Sequence, residues 1–193
     1  MGGNTNPDGR RGNRWRMAGW GAAAVVLLLP LVAMRFTDEV NWDMADFLVF
    51  GGLLVGAGVS YELAARMTGN IAYRAGAGVA LAAAFILVWV NGAVGIIGSE
   101  NNSANLMYAG VLATGIVGAI IARFQPQGMA RALFATAFAQ ALVAAVGLIA
   151  GPGSPQSGPL EIVGLNGFFF ALFIGSALLF RQAARGRPEP DAV

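Results

Sequence analysis

Residues 132–150 have the sequence ALFATAFAQALVAAVGLIA, an apolar run with no charged side chain and one amide, Gln140. A helix rises about 1.5 Å per residue, so this run is long enough to cross the hydrocarbon layer of a bilayer, which is about 30 Å thick. No segment alternates apolar and polar residues as the strands of a membrane barrel do. Similar runs recur along the chain, and the predicted spans are 17–34, 44–65, 75–98, 106–122, 132–150 and 162–180. The sequence therefore predicts an all-α polytopic membrane protein with six transmembrane helices.

The connections between these runs are short. They cover residues 35–43, 66–74, 99–105, 123–131 and 151–161. Short connections make consecutive helices antiparallel neighbours, so we expect a single bundle over residues 17–180. The segments outside it are rich in Gly, Asn, Pro and charge. They predict a disordered basic tail over residues 1–16 and a second tail over residues 181–193.

The arginines indicate how the bundle is oriented. Except for Arg35, all of them lie in the two tails, at the helix boundaries beside them, or in the connections 66–74 and 123–131. Positive charge collects in cytoplasmic loops, so we expect both tails in the cytoplasm, which requires an even number of spans. The lack of Lys and the abundance of Ala and Gly suggest a GC-rich bacterial genome. The predicted location is the bacterial inner membrane.

Composition removes many kinds of chemistry. The chain has 193 residues, of which 11% are charged, less than half of the roughly 25% usual in soluble domains. It contains no Cys, His or Lys, so disulfides, thiolate nucleophiles, imidazole bases, ordinary zinc sites and lysine phosphate loops are excluded. We expect no enzymatic activity, no catalytic residues, no metal site and no cofactor. The basic pI of about 9.7 does not indicate nucleic acid, because the arginines follow the ends of apolar runs.

Two polar features inside the spans have structural explanations. Glu62 and Arg66 are four residues apart near the predicted cytoplasmic end of the second span, which is the spacing of an ion pair on a helix surface. The alternative for this pair is a gate or coupling site. Gln140 lies in the middle of the fifth span, where an unsatisfied amide is costly. We expect it to bond to a neighbouring helix.

A second group of polar residues shares the outward level of the predicted bundle. Its members come from different helices or their connections, and they are Asp46, Asn91, Glu100, Asn105 and Asn166. If the bundle brings them together, they form an outward acidic site suited to a hard cation or to a hydrogen-bonding solute. The alternative is that residues 100–105 are an ordinary turn, in which Asn102 or Ser103 caps the next helix, and that residues 38–46 are a solvated face.

Part of the chain resembles a known group of proteins. The stretches RFTDEVNW (35–42), WVNGAVGIIGSE (89–100) and ANLMY (104–108) are similar to small uncharacterised inner-membrane proteins of bacteria, and the similarity covers roughly residues 35–150. The resemblance implies an inner-membrane location and carries no activity. Its most distinctive stretch, residues 89–108, coincides with segments that the predicted topology assigns to the outward side of the membrane.

These observations favour a non-catalytic accessory or partner-binding membrane protein that uses the outward polar group as its interaction site. The alternative is a small-solute or cation transporter that uses the same group as its entry. A membrane enzyme acting through carboxylates alone is a more distant third. The expected partners are the lipid bilayer and another membrane protein or a second copy of the chain, and not nucleic acid.

Overall fold

A computed structural model describes residues 7–37, 40–99, 101–149, 151 and 158–186, with side chains from residue 16 onward. These residues form helices and no strands. The helices are α1 (Pro7–Ala33), α2 (Met44–Met67), α3 (Ile71–Ala93), α4 (Met107–Ile121), α5 (Pro126–Ile149) and α6 (Pro159–Arg185), and a 3-10 turn (Ser103–Leu106) precedes α4. Within the described ranges, six helices are long and apolar enough to cross a membrane. The predicted fold class is confirmed at this level.

Several predicted boundaries are wrong because hydropathy marks the lipid-length part of a helix and not its ends. α1 begins at Pro7, so residues 7–16 are helical and not a disordered tail, and α6 continues to Arg185. α5 begins at Pro126, inside the predicted connection 123–131. Proline is favoured at the first helical position, where its missing N–H costs nothing. Residues 1–6 and 187–193, the rest of the two predicted tails, lie outside the described part of the chain.

The third predicted span also ends in the wrong place. α3 stops at Ala93, and residues 94–98 are a non-helical segment in which Ile96 and Ile97 are fully buried. Gly95 and Gly98 have φ angles of +72° and +73°, which helix geometry does not allow. Glycine adopts this conformation without steric cost. An apolar sequence therefore hid a buried loop within what looked like a continuous span.

The chain divides into two compact units, Met1–Gly58 and Val59–Val193. In the first unit, the Trp20 ring of α1 covers Gly58 of α2, where a Cβ atom would lie 3.0 Å from the ring. Trp42 packs edge-on against Phe47 and Phe50, with ring centroids 5.2 and 5.3 Å away. The first contact joins α1 to α2, and the Trp42 contacts pack the α1–α2 connection against the start of α2. A single bundle containing all six helices stays a prediction.

The second unit is a bundle in which α6 packs against α3 and α5, and α5 packs against α4. Polar groups face its interior: Thr136, Gln140, Asn166 and Ser176 are each 2% exposed or less. Large apolar side chains face outward on the same helices, including Phe138, Leu142 and Phe168. Ser176 Oγ donates a hydrogen bond to the Gly76 carbonyl oxygen at 2.7 Å. The rest of the interior is apolar, so the unit is apolar both inside and outside, which suits an apolar solvent.

The arginine-bearing ends of these helices lie together. The Tyr73 hydroxyl at the start of α3 donates to the Phe124 carbonyl oxygen in the α4–α5 turn at 2.8 Å. The Tyr73 ring packs edge-on against Phe180 near the end of α6, with centroids 4.8 Å apart. The connections before α3 and after α4 therefore share one end of the unit with the end of α6, as the arginine pattern predicts.

Gly118 allows α4 and α5 to approach closely, and we expect Gly118→Ala to destabilise the protein by about 1–3 kcal/mol through overpacking. A Cβ atom at this position would lie 2.7 Å from Ala132 Cβ. The matched control is Gly110→Ala on the same helix, which meets nothing within 4 Å and should be neutral or stabilising because alanine favours the helix. Thermal unfolding in detergent measures both variants, and equal melting temperatures would contradict the close packing.

Candidate functional site

Asp46 takes part in a local helix cap in the first unit. Asp43 Oδ1 accepts hydrogen bonds from the backbone N–H groups of Ala45 and Asp46, at 2.7 and 3.0 Å. Asp46 Oδ2 accepts from the Asp43 N–H at 2.9 Å. This reciprocal pattern is a capping box, which satisfies backbone donors at the start of α2. The carboxylate of Asp46 thus has a structural role. Glu100, the other predicted acid of the site, lies outside the described residues.

Asn105 holds the segment between α3 and α4. Its Oδ1 atom accepts hydrogen bonds from the backbone N–H groups of Ile96 and Ile97, at 3.2 and 3.0 Å. Its Nδ2 atom donates to the Ser99 carbonyl oxygen at 2.8 Å. Asn105 is 5% exposed, and both isoleucines are fully buried. One side chain therefore satisfies three backbone groups of a loop that passes through the interior, where an unpaired backbone group is costly.

Two further contacts complete this structure, which we call the Asn105 loop (residues 94–99 and 101–105). Asn91 Nδ2 donates to the Asn105 carbonyl oxygen at 3.2 Å, whereas Asn91 Oδ1 is buried and accepts no hydrogen bond from the described residues. Asn102 Oδ1 accepts from the Ala104 N–H and caps the 3-10 turn. It does not cap α4 as the turn interpretation expects, because α4 starts after Leu106 without a side-chain cap. Asn91 and Asn105 are thus brought together in support of the loop.

Asn166 belongs to a buried network that joins three helices. Its Oδ1 atom accepts hydrogen bonds from the Tyr108 hydroxyl of α4 at 3.0 Å and from Gln140 Nε2 of α5 at 2.9 Å. Its Nδ2 atom donates to the Ile162 carbonyl oxygen, one turn earlier in α6, at 2.8 Å. Gln140 thus makes the interhelical bond that its position predicts. Tyr108, Gln140 and Asn166 form what we call the amide network.

The orientation of both amides in this network follows from the hydrogen bonds. Turning the Asn166 amide over would place its oxygen against the Ile162 carbonyl oxygen, so Oδ1 must face Tyr108 and Gln140. Gln140 must then present Nε2 to Asn166, because Oδ1 only accepts. Gln140 Oε1 is consequently directed away from Asn166, and within the described chain this buried atom has no partner.

An apolar groove runs along α5 and α6 beside this network. It has a volume of about 340 Å³ and is bounded mainly by alanine and glycine with larger apolar side chains. Its lining consists of Ala141, Ala144, Ala145, Leu148, Val163, Asn166, Gly167 and Phe170. Asn166 is the polar member of this lining, and it is 2% exposed. The groove therefore offers little to a charged solute.

The Glu62–Arg66 pair lies near the end of α2, in the second unit. Arg66 Nη2 is 3.1 Å from Glu62 Oε2, the contact that the four-residue spacing predicts. The arginine side chain is 65% exposed, whereas the glutamate is 19% exposed. A pair this accessible to solvent contributes little to stability.

The structure brings together part of the predicted outward group and adds residues that the sequence analysis missed. Asn91 and Asn105 bond directly, and Asn166 is linked to Tyr108, three residues after Asn105. Asp46 belongs to the other unit. Tyr108 and the buried backbone of the Asn105 loop were missed. A phenol inside an apolar run was a usable signal, because a buried tyrosine hydroxyl needs a hydrogen-bond partner.

Within the described ranges, six long apolar helices and a bundle whose outer surface is apolar are the features of a multi-pass membrane protein. Comparison of the chain with protein-family models, with curated proteins and with solved structures finds no match.

Proposed function

We propose that this chain is a non-catalytic, multi-pass protein of the bacterial inner membrane that binds a partner membrane protein on the outer side through the Asn105 loop. The observation that carries the proposal is the fixing of this loop by one buried side chain. The side chain of Asn105 holds the backbone of the loop through three hydrogen bonds. Ser99, Asn101 and Ser103 of the same loop are exposed. A loop held in one conformation binds with less loss of conformational entropy.

Membrane insertion is supported by the surface of the second unit. Ile116, Ile120 and Ile149 are more than 60% exposed, as are apolar residues on other helices. Contiguous apolar surface of this kind is rare on soluble monomers. We infer from the arginine pattern that both termini lie in the cytoplasm. The contacts that bring the helix ends beside Arg74, Arg123 and Arg181 to one end of the second unit support this inference. The Asn105 loop then faces the periplasm.

Partner binding fits the polar residues better than transport does. A carrier needs polar groups that face a path for the solute. The side chains of Asn105 and Asn166 instead form hydrogen bonds within the chain. Gln140 bonds to Asn166 in the closed interior of the bundle. The groove beside this network is apolar. A small-solute or cation carrier remains the competing function, for which the unpartnered Gln140 Oε1 is the most favourable feature.

Photo-crosslinking in living cells tests this proposal. A photoreactive amino acid at Ser103 should yield a product containing this chain and a second polypeptide, and adding Asn105→Ala should abolish that product. The same probe at Phe138, 64% exposed on α5, controls for random encounters in the bilayer. If Ser103 crosslinks no more than Phe138, the loop is not the docking surface. The mass of the product distinguishes a different protein from a second copy of this chain.

A further inference from the structure

Three arginines are chain neighbours of Tyr73 and of two residues that Tyr73 contacts. Tyr73 contacts both Phe124 and Phe180, through a 2.8 Å hydrogen bond and an edge-on ring contact. Each of these residues has an arginine as its chain neighbour, namely Arg74, Arg123 and Arg181, and all three arginines are exposed. The three arginines are therefore anchored at the same end of the second unit, each beside a residue of this contact group. We call this area the arginine end.

The positive charge of the arginine end is not neutralised within the described part of the chain. No described acidic side chain forms an ion pair with Arg74, Arg123 or Arg181, and the carboxylate of Glu62 is engaged with Arg66. Glu161 is in the first turn of α6, twenty residues before Arg181, and therefore about 30 Å away along the helix. Among the residues that the structure describes, an anionic ligand would meet positive charge that no acidic side chain pairs with.

The backbone at the arginine end is fixed in an unusual conformation. Arg123 and Phe124 have φ angles of +48° and +57°, a region that costs non-glycine residues about 1 kcal/mol or more each. The Tyr73 hydroxyl binds the Phe124 carbonyl oxygen of this turn. Pro126 begins α5 two residues later. Strained positions of this kind concentrate at functional sites, and here the strained turn carries an arginine.

The surroundings specify an amphipathic anion. Arginine binds phosphate oxygens through paired N–H donors. Beside the arginines lie exposed apolar side chains, with Ile71 82% exposed, Ile121 76% and Phe124 46%. A ligand that joins a phosphate to long apolar chains would satisfy both kinds of surface.

We propose that the arginine end binds the headgroup of an anionic phospholipid, with the acyl chains lying against the apolar residues of α3 and α4. A basic surface at the cytoplasmic end of membrane helices suits such a headgroup. A zwitterionic lipid would be disfavoured, because its cationic group would face the arginines. This inference rests on the membrane location given under the proposed function and is independent of partner binding.

Native mass spectrometry of the full-length protein in detergent tests the inference with phosphatidylglycerol and phosphatidylcholine as probes. Phosphatidylglycerol should bind at least about tenfold more tightly. The triple variant Arg74→Gln/Arg123→Gln/Arg181→Gln should weaken its binding on the order of 100-fold, since each charge near an anionic surface contributes about a factor of five. Arg35→Gln removes one positive charge from the first unit and should change little, whereas Arg123→Gln alone should weaken binding about fivefold. Replacing the three residues with Lys should preserve most of the preference.

Three results would overturn the inference: equal binding of the two lipids by the unchanged protein, unaltered phosphatidylglycerol binding by the triple Gln variant, or full competition by glycerol phosphate at the lipid concentration. The last would show a free-phosphate site. The first readout needs no variant, so it stands even if the triple variant misfolds. A protein that stays soluble without detergent would instead contradict the membrane location, and the competition by glycerol phosphate would still report on the arginines.

Discussion

Replacing Asn105 with alanine should destabilise the protein by about 4 kcal/mol, because each buried donor left without a partner costs about 1–3 kcal/mol. The substitution leaves the N–H groups of Ile96 and Ile97, which lie in fully buried residues, without an acceptor. It also removes one of the two hydrogen bonds to the Ser99 carbonyl oxygen, which keeps the bond from the Asn102 N–H. No other side chain of the described loop accepts from these two donors. The change in melting temperature in detergent, followed by tryptophan fluorescence, measures the effect.

Two variants make this result specific. Ser103→Ala alters an exposed residue in the same 3-10 turn, and its effect should stay within about 0.5 kcal/mol. Asn105→Asp retains the acceptor for both N–H groups, but it buries a negative charge and sets a carboxylate oxygen against the Ser99 carbonyl oxygen, so it should not restore stability. If Asn105→Ala melted at the same temperature as Ser103→Ala, the hydrogen bonds of Asn105 would not be what holds the loop.

Replacing Asn166 with leucine should cost about 3 kcal/mol, because the Tyr108 hydroxyl and the Gln140 amide both lose their acceptor. Hydrogen bonds between membrane helices contribute about 0.6 kcal/mol on average and up to about 1.7, so most of this cost is the desolvation of stranded donors. Removing all partners together should restore stability. The triple variant Tyr108→Phe/Gln140→Met/Asn166→Leu should therefore be more stable than Asn166→Leu alone.

Within the amide network, Gln140 is the residue whose replacement should lower the stability of the protein least. Gln140→Met deletes one hydrogen bond but also deletes an acceptor, Oε1, that has no partner among the described residues. The two effects have opposite signs, and Asn166 Oδ1 keeps its bond from Tyr108. We expect a change of less than about 1 kcal/mol. A loss as large as that of Asn166→Leu would mean that Oε1 is bound by something within the bundle.

Helix number and the grouping of arginines could be predicted because both depend on local composition. Runs of apolar residues long enough for a bilayer leave a clear pattern. Arg74 lies just before one of these runs, and Arg123 and Arg181 lie just after two others. The bond of Gln140 could also be predicted, since a buried amide must find a partner. These features require no knowledge of which helices are neighbours.

The Asn105 loop could not be predicted because it depends on contacts between separate parts of the chain. Residues 94–98 are as apolar as a helix interior, and the signal for a break was limited to Gly95 and Gly98. The residue that stabilises the break, Asn105, lies eight or nine positions after the N–H groups that it binds. The predicted position of these residues across the membrane therefore suggested a ligand site. In the structure, the amides of Asn91 and Asn105 bind the backbone of the loop instead.

The first residues of α1, α5 and α6 were also predicted wrongly from local composition. Pro126 and Pro159 begin α5 and α6 before the apolar runs start, and polar residues in the end turns leave the helices intact. Pro7 likewise opens α1 within a segment that composition marks as disordered.

The most direct test of the central claim uses the absence of cysteine from this chain. Single substitutions Ser103→Cys and Gly69→Cys place one thiol at exposed positions on opposite sides of the proposed membrane. With a maleimide that cannot cross membranes, we expect Ser103→Cys to be labelled in spheroplasts and Gly69→Cys to be labelled only after permeabilisation. Labelling of Gly69→Cys in intact spheroplasts, or protection of Ser103→Cys there, would contradict the membrane arrangement proposed for this chain.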